Sequence, residues 1–387
     1  MNILFVSQDY IPNLSGVPIV VKYLAEGLAE KGHQITVVTS CYRNCTDYEV
    51  INNVSIFRFD LKKTHFDTYK GKIKEYVNFI INFNCDVIVF ECATCVTTDV
   101  LLPYLDKIKG KKILHSHGLS GLLLKPFNLK HSVLSTVANT YHWLWCQYYF
   151  SNILPKYLKK FDLTICLSEV DNTLQYCRSH NCPVQILENA ADDIFFKERD
   201  RLHFKEIVLL GLPYFLSVAN YTHIKNQKGI LEEYYKSNRD DYAMVFIGLE
   251  KTDYYNELLK YNNQLEKKYG HRAILFLTNI ERKYIPNIVE NSTLYLVGST
   301  WEMYSISIIE AMTKGVPFIS TNVGNAFILP GGITVDKLTD MNHAINSLVN
   351  NSKLYKNLST QGKKYALDNC KRSKIVDKFE NLIESII

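Results

Sequence analysis

The chain has no uncharged apolar run suited to crossing a membrane. Its longest stretch without Asp, Glu, Lys or Arg is His131–Pro155, which carries Asn, Gln, Ser, Thr and His and so makes a poor bilayer span. A secretory signal is also missing. Met1–Val6 has no basic lead and turns polar at Ser7, so it reads as a first β-strand. With no export signal, the ten cysteines are expected to be free thiols of a cytoplasmic protein. Excess charge of one sign is small: 44 Lys and Arg against 39 Asp and Glu leave +5. That does not point to nucleic acid, and no nucleic-acid-binding motif accompanies it. Glycine is scarce where a dinucleotide fold needs it. The first strand–helix turn holds one glycine, Gly16, and no Gly-x-Gly-x-x-Gly, which argues against a Rossmann dehydrogenase. There is no short repeat and no low-complexity tract.

What the chain does have is alternation. Val/Ile/Leu-rich runs at 3–6, 35–39, 54–59, 87–90, 113–115, 163–167 and 184–187 alternate with helical patterns. Continuous apolar runs of this kind suit strands covered on both faces of a parallel, doubly wound sheet. A charged break follows at 192–206. The pattern then restarts at 214–218, 243–247, 273–276, 294–297 and 317–320, and about three helices close the chain. A length of 387 residues is long for one hydrophobic core. The expected architecture is α/β, with two Rossmann-like domains in tandem facing across a cleft. Their expected bounds are 1–195 and 196–368, with a terminal helix at 369–387 packing back toward the first domain. In open α/β sheets ligands bind beyond the carboxyl ends of the strands, so the chemistry belongs at those edges.

The strongest chemical signal is the block from Gly298 through Glu302 and Glu310 to Gly315 and Pro317. A strand at 294–297 precedes it and a helix is predicted over 305–313. The first N–H groups of that helix lack internal partners and carry partial positive charge, which suits a diphosphate. Glu310, one to two turns inside, is placed to reach a ribose diol. Glu302, at the helix mouth, is placed to accept hydrogen bonds from sugar hydroxyls.

This block resembles the retaining glycosyltransferases of family 4, of the GT-B fold. Their Glu-x7-Glu motif matches Glu302 and Glu310, and the following Glu-Ala-Met and Gly-x-Pro match Glu310, Ala311, Met312, Gly315 and Pro317. The Gly-rich turn of the family is replaced by Met303-Tyr304-Ser305. The resemblance implies a nucleotide-sugar donor bound by the second domain through Met303, Tyr304, Ser305 and Ile306 besides the two glutamates. It places a phosphate-binding Lys at Lys225, in the segment from Ser217 to Gly229. Asn220 stands there among the donor residues, where the family often has Arg. In the first loop Gly16 is assigned to the donor, where glycine lets backbone approach closely. His117, in Ile113-Leu-His115-Ser-His117-Gly118, takes the place of a family histidine near the reacting centre. Glu302, Lys225 and His117 are thus the residues expected to carry catalysis. Asn189 and Asp192 match an Asn-Gly-x-Asp segment at the passage between domains and are expected as cleft or hinge residues.

Two histidines at period-two spacing would need further ligands to hold a metal, and neither these nor the lone Cys92-x-x-Cys95 with Cys41 and Cys45 argues for one. The resemblance implies transfer with retention, without a metal or other cofactor, by same-face attack assisted by the leaving phosphate. The expected partners are the donor and a glycan or lipid-linked acceptor, as in bacterial-type surface polysaccharide or glycoconjugate synthesis. The aromatic stretch Tyr141–Phe150, with Lys125, Lys130, Lys156, Lys159 and Lys160 around it, suits peripheral contact at the inner face of the cell membrane. Two other readings fit the same pattern: a non-catalytic nucleotide-sugar-binding protein and a nucleotide-sugar epimerase of the same fold.

Overall fold

The computed structural model describes residues 1–13, 16–41, 46–64, 68–124, 133–197, 204–208 and 211–387. Ser15, Cys45, Lys125 and Lys130 lie outside the described residues. The chain divides into two units, Met1–Glu188 with Ser373–Ile387, and Asn189–Arg372.

The first unit contains β1 (Asn2–Val6), β2 (Gln34–Ser40), β3 (Tyr48–Ile51), β4 (Val54–Phe59), β5 (Leu61–Lys63), β6 (Tyr69–Gly71), β7 (Val87–Glu91), β8 (Lys111–His115), β9 (Leu163–Cys166) and β10 (Val184–Ile186). Eight of them form one sheet in the order β10-β9-β8-β7-β1-β2-β4-β3. It is parallel except for β3, which runs antiparallel to β4. The central strand β7 is buried along its length, whereas β4 alternates and β3 is half exposed. This is why the apolar runs are legible in sequence and the edge strand β3 and the small β5–β6 hairpin are not.

The second unit contains β11 (Tyr214–Val218), β12 (Ala243–Gly248), β13 (Ile274–Thr278), β14 (Leu294–Val297), β15 (Phe318–Thr321) and β16 (Gly332–Val335), in the parallel order β13-β12-β11-β14-β15-β16. The core is unusually rich in tyrosine. Buried rings pack as hydrophobes while their hydroxyls find carbonyls at strand ends: Tyr221 donates to Phe246 O at 3.1 Å and Leu277 O at 3.0 Å. Alternate residues of the strands feed opposite faces. Phe215 and Phe246 pack with Ile230 and Tyr234 on one face, and Leu216 and Val245 pack with Ile308 and Met312 on the other.

The boundary at Glu188–Asn189 precedes the expected one at 195 because residues 189–195 are held within the second unit. Ala191 N–H donates to Cys370 O at 2.9 Å, and Asp192 pairs with Arg282. The terminal helix Arg372–Glu384 lies almost wholly in the first unit. Phe379 sits 6.1 Å from the Phe5 ring. Val376 lies so close to the Val17–Glu30 helix that a Cβ on Gly27 would stand 2.5 Å from its methyl. Glycine is therefore used in mid-helix to let two helices approach. Lys378 pairs with Glu188 at 3.0 Å and His33 with Glu380 at 2.7 Å, but such partly exposed pairs add little beside the buried apolar face.

Phe379→Ala is expected to destabilise the first unit by about 3–5 kcal/mol through transfer and cavity terms. The check is chemical denaturation followed by Trp143 and Trp145 in a Trp301→Phe background. An unchanged midpoint would remove the terminal helix from the core of this unit.

Candidate functional site

In the second unit, β11 and β14 are neighbours, yet the helices that follow them pack on opposite faces of the sheet. The loops leaving their carboxyl ends part there, and a crevice opens between them. Lys225 lies on the loop after β11 and Glu302 on the loop after β14, and the two form an ion pair. Ser299 Oγ donates to Glu302 Oε1 at 2.8 Å. The loops are laced together by Thr300 N–H donating to Ile224 O at 2.8 Å. Asn226, in the left-handed region with φ 50°, caps the next helix by accepting from Gly229 N–H, which turns the chain directly after Lys225. Asn220 is exposed and its carbonyl accepts from Gln227 Nε2 at 3.0 Å.

The helix beyond Glu302 spans Ile306–Thr313, with Ser305 as its N-cap. This corrects the expected start at 305. Ser305 N–H is not available to a ligand because it donates to Asn325 Oδ1 at 2.9 Å. Its side chain makes no cap, so the amides that begin at Ile306 have no side-chain acceptor from the N-cap residue. Met303 and Tyr304 lie in the connecting turn, where Gly324 presses against the backbone of Glu302 and Met303. A Cβ at 324 would stand 3.0 Å from Met303 O and 3.1 Å from Glu302 O, and φ there is +54°. Ser299, Gly324 and Asn325 shape this turn, and none was selected from sequence. They follow no spacing rule because each is defined by which carbonyl or amide it meets.

Glu310 is buried one turn into the helix and pairs with Arg282, which starts the short turn Arg282–Tyr284. The same guanidinium reaches Asp192 Oδ2 at 3.2 Å through Nε and lies 5.1 Å from the centre of the Phe195 ring. Burial raises the Glu310 pKa to about 7, although Arg282 opposes the rise. Asp192, expected as a hinge, is thus tied to the same cation as Glu310, and it also caps the turn Asp193–Phe195 by accepting from Ile194 N–H. Asn189 is buried in the same segment.

In the first unit the strand order reverses between β1 and β7. Gly16, in the loop after β1, has φ 64° and is the N-cap of the Val17–Glu30 helix, a backbone conformation that favours glycine. His117 lies just past β8. Its Nε2 is 2.5 Å from Glu91 Oε2 at the end of β7, and His115 Nδ1 is 3.1 Å from the same oxygen. Glu91 was not selected from sequence because it ends an apolar strand run and belongs to no motif of its own. Its carboxylate, with the two histidines, makes a group of the size that holds metals. The described cysteines are free thiols, and Cys92 and Cys95 stand outside that group. Among the described residues no helix is long and apolar enough to cross a membrane.

Two family models match the chain. One, described as Glycosyltransferase Family 4, matches residues 14–193, and the other, Glycosyl transferases group 1, matches residues 198–365. The chain is 24% identical over 348 residues to an uncharacterized glycosyltransferase of Methanocaldococcus jannaschii, covering 84% of this chain and 81% of that one. Over 336 residues it is 23% identical to a human phosphatidylinositol N-acetylglucosaminyltransferase polypeptide, covering 84% of this chain and 62% of that one. Anabaena HepE, solved with UDP and glucose, superposes with a TM-score of 0.70 at 14% identity, covering 100% of both chains.

The Glu310 carboxyl has a testable signature. Its folded pKa, about 7, lies above its ordinary value of 4.5. The folded state therefore holds a proton that the unfolded chain releases, and stability from this group is lost as pH rises between those values. The melting temperature of Glu310→Gln relative to wild type should climb from pH 5 to pH 8. A difference that stays flat across that range would show that Glu310 is ionised throughout.

Proposed function

From the premise that this chain belongs to the family-4, group-1 glycosyltransferases and has their GT-B fold of two Rossmann-like domains, we propose that it transfers a hexose with retention from a nucleoside-diphosphate sugar bound in the second unit. The observation that carries the reading is the Lys225–Glu302 pair on the two loops that part beside β11 and β14. A lysine there offers a compact positive charge to a departing diphosphate. The helix N-terminus at Ile306 adds oriented amides for the same oxygens. Glu302 would exchange its lysine for sugar hydroxyls, and Glu310 would accept from the ribose diol beside Arg282.

The acceptor oxygen forms its bond to the anomeric carbon on the face from which the phosphate oxygen leaves. The acceptor's proton passes to that phosphate oxygen, so neither an enzymatic nucleophile nor a metal is required. The protein's contribution is positioning and stabilisation of developing charge. Gly16 would serve the donor, His117 the reacting centre, and the first unit would bind the acceptor.

A lipid-linked or glycan acceptor, in surface polysaccharide or glycoconjugate synthesis, is the reading we favour. Val137, Tyr141, Leu144 and Tyr148 are all exposed on the Val133–Tyr148 helix. Their spacing puts them on one face of that helix. Lys156, Lys159 and Lys160 follow in sequence. Such a combination suits an anionic membrane surface on the cytoplasmic side. The human relative named above carries phosphatidylinositol in its name. A second reading, nucleotide-sugar binding without transfer, is favoured by one observation: Asn220 provides no charge where a second cation would assist the leaving group.

A thermal-shift screen against UDP-, GDP-, ADP- and dTDP-sugars should single out one donor, and transfer or hydrolysis of it separates enzyme from binder. Glu302→Gln and Lys225→Ala should each lower turnover by roughly 10²-fold or more, the scale on which losing one charge-stabilising donor is felt, while the melting temperature is kept. Wild-type rates in both variants would sink the site assignment. On the acceptor side, Leu144→Glu should weaken cosedimentation with anionic vesicles. Equal binding by variant and wild type would remove the membrane from the reading.

A further inference from the structure

Glu91 is a buried carboxylate at the carboxyl end of the central strand β7, a costly place for a charge without partners. β7 and β8 pair in register, with Glu91 opposite His115. His117 follows two residues later and turns back, so that both imidazoles meet one carboxylate oxygen. The two rings lie 3.9 Å apart between centres with an interplanar angle of 38°. Behind them, the ring of Phe379 lies 6.2 Å from that of His115.

The spacing decides what the group is. Two atoms that ligate one transition metal at about 2.0–2.1 Å in tetrahedral or octahedral geometry stand roughly 3 Å apart. His117 Nε2 and Glu91 Oε2 are 2.5 Å apart, the separation of a hydrogen bond, and it is as a hydrogen-bonded pair that they stand in this structure. Burial alone would raise the Glu91 pKa, but the two imidazoles outweigh it and hold the group below the usual carboxylate range. An ionised carboxylate only accepts, so the proton of this bond sits on His117 Nε2. Burial, with His115 adding to it, lowers the His117 pKa and keeps the ring neutral. The lone pair is then on Nδ1, and no described residue hydrogen-bonds that atom.

The backbone around the pair is also unusual. His117 has φ 51°, Cys92 φ 67° and Thr94 φ 63°. Three non-glycine residues in the left-handed region, on loops leaving two adjacent strands, mark a segment held in place against its own preference. Glu91 provides the anchor that such a turn needs. Its other oxygen, Oε1, is buried without a partner, so its fixed contacts in this structure are to the histidines.

We infer that Glu91 is a positioning residue that locks His117 in the Nε2–H tautomer, so that Nδ1 is presented as a hydrogen-bond acceptor to a hydroxyl of a sugar substrate. This rests on the reading of His117 as a residue that faces the reacting sugars. The same logic, a buried carboxylate selecting which imidazole nitrogen carries the proton, governs histidines in hydrolytic triads.

Glu91→Gln tests it. The amide is nearly isosteric but can donate as well as accept, so it no longer dictates the tautomer. Full-length protein labelled with [15N]histidine reports each ring nitrogen as protonated or not, with His117→Asn assigning the signals. In wild type His117 should show a protonated Nε2 and a bare Nδ1. In Glu91→Gln this pattern should be lost or averaged, and kcat should fall roughly 10-fold, the scale of losing one oriented hydrogen bond to the substrate. The donor-induced thermal shift, a property of the second unit, should not change. Glu91→Asp, which keeps the charge on a shorter arm, should retain the wild-type tautomer and recover part of the rate. An unchanged tautomer in Glu91→Gln, or an unchanged kcat in that variant, overturns the inference. Failure of the wider reading would look different: Lys225→Ala and Glu302→Gln would keep full turnover whatever the Glu91→Gln spectra show.

Discussion

β11 and β14 hydrogen-bond to one another, but the chain leaves them toward opposite faces of the sheet, and that divergence is what the second unit's site depends on. A loop that packs on one face cannot fill the gap beside a loop that packs on the other. The backbone amides, the Lys225 ammonium and the Glu302 carboxylate are therefore brought to one opening without any of them being buried by its own helix. Thr300 fastens the two loops and Ser299 holds the Glu302 carboxylate within its own loop, so the opening has a defined shape before a ligand arrives. The tyrosine-rich core beneath serves the same end. Its hydroxyls satisfy strand-end carbonyls from below and leave the loops above free to be polar.

Each glutamate of the pair already has a cation. Glu302 holds Lys225, and Glu310 holds Arg282. This keeps two carboxylates stable near a helix mouth. Under the function proposed above, each would exchange its protein cation for substrate hydroxyls, and the burial of Glu310 would give that exchange a pH dependence. Arg282 has a wider reach because it also binds Asp192, so the segment that begins the second unit is anchored to the helix that carries Glu310. In the first unit the partner is an imidazole instead of a cation, and the carboxylate sets proton position instead of balancing charge. The two units thus apply one fold principle, side chains gathered beyond the carboxyl edge of a parallel sheet, to different chemistry.

The readable part of the structure follows from periodicity. Strands buried on both faces must be apolar throughout, so β1, β7, β11, β12 and β14 stand out, while the half-exposed β3 and the short β16 do not. Glu302, Glu310 and Lys225 were readable because a strand, a loop and a helix hold them at set spacings. Arg282 was not, since it sits 28 residues from Glu310 in a short turn with no pattern. Glu91 was hidden for the opposite reason: a strand pattern surrounds it, and a lone carboxylate at a strand end looks like the start of a loop. The helix mouth was read one residue early, because Ser305 looked like an open amide and only Asn325, twenty residues on, closes it.

The sequence by itself determined the alternation of elements, the division into two α/β units and the motif that identifies the family, since these depend on local propensity and on spacing within one strand–loop–helix. Tertiary structure alone decided which charges face each other. Ion pairs such as Arg282–Glu310 and Lys225–Glu302, and the hold of Glu91 on His117, join loops that are distant in the chain and adjacent only because parallel strands set them side by side. A hydrogen bond or an ion pair acts over a few ångströms, and no periodicity records which loops a sheet will bring that close.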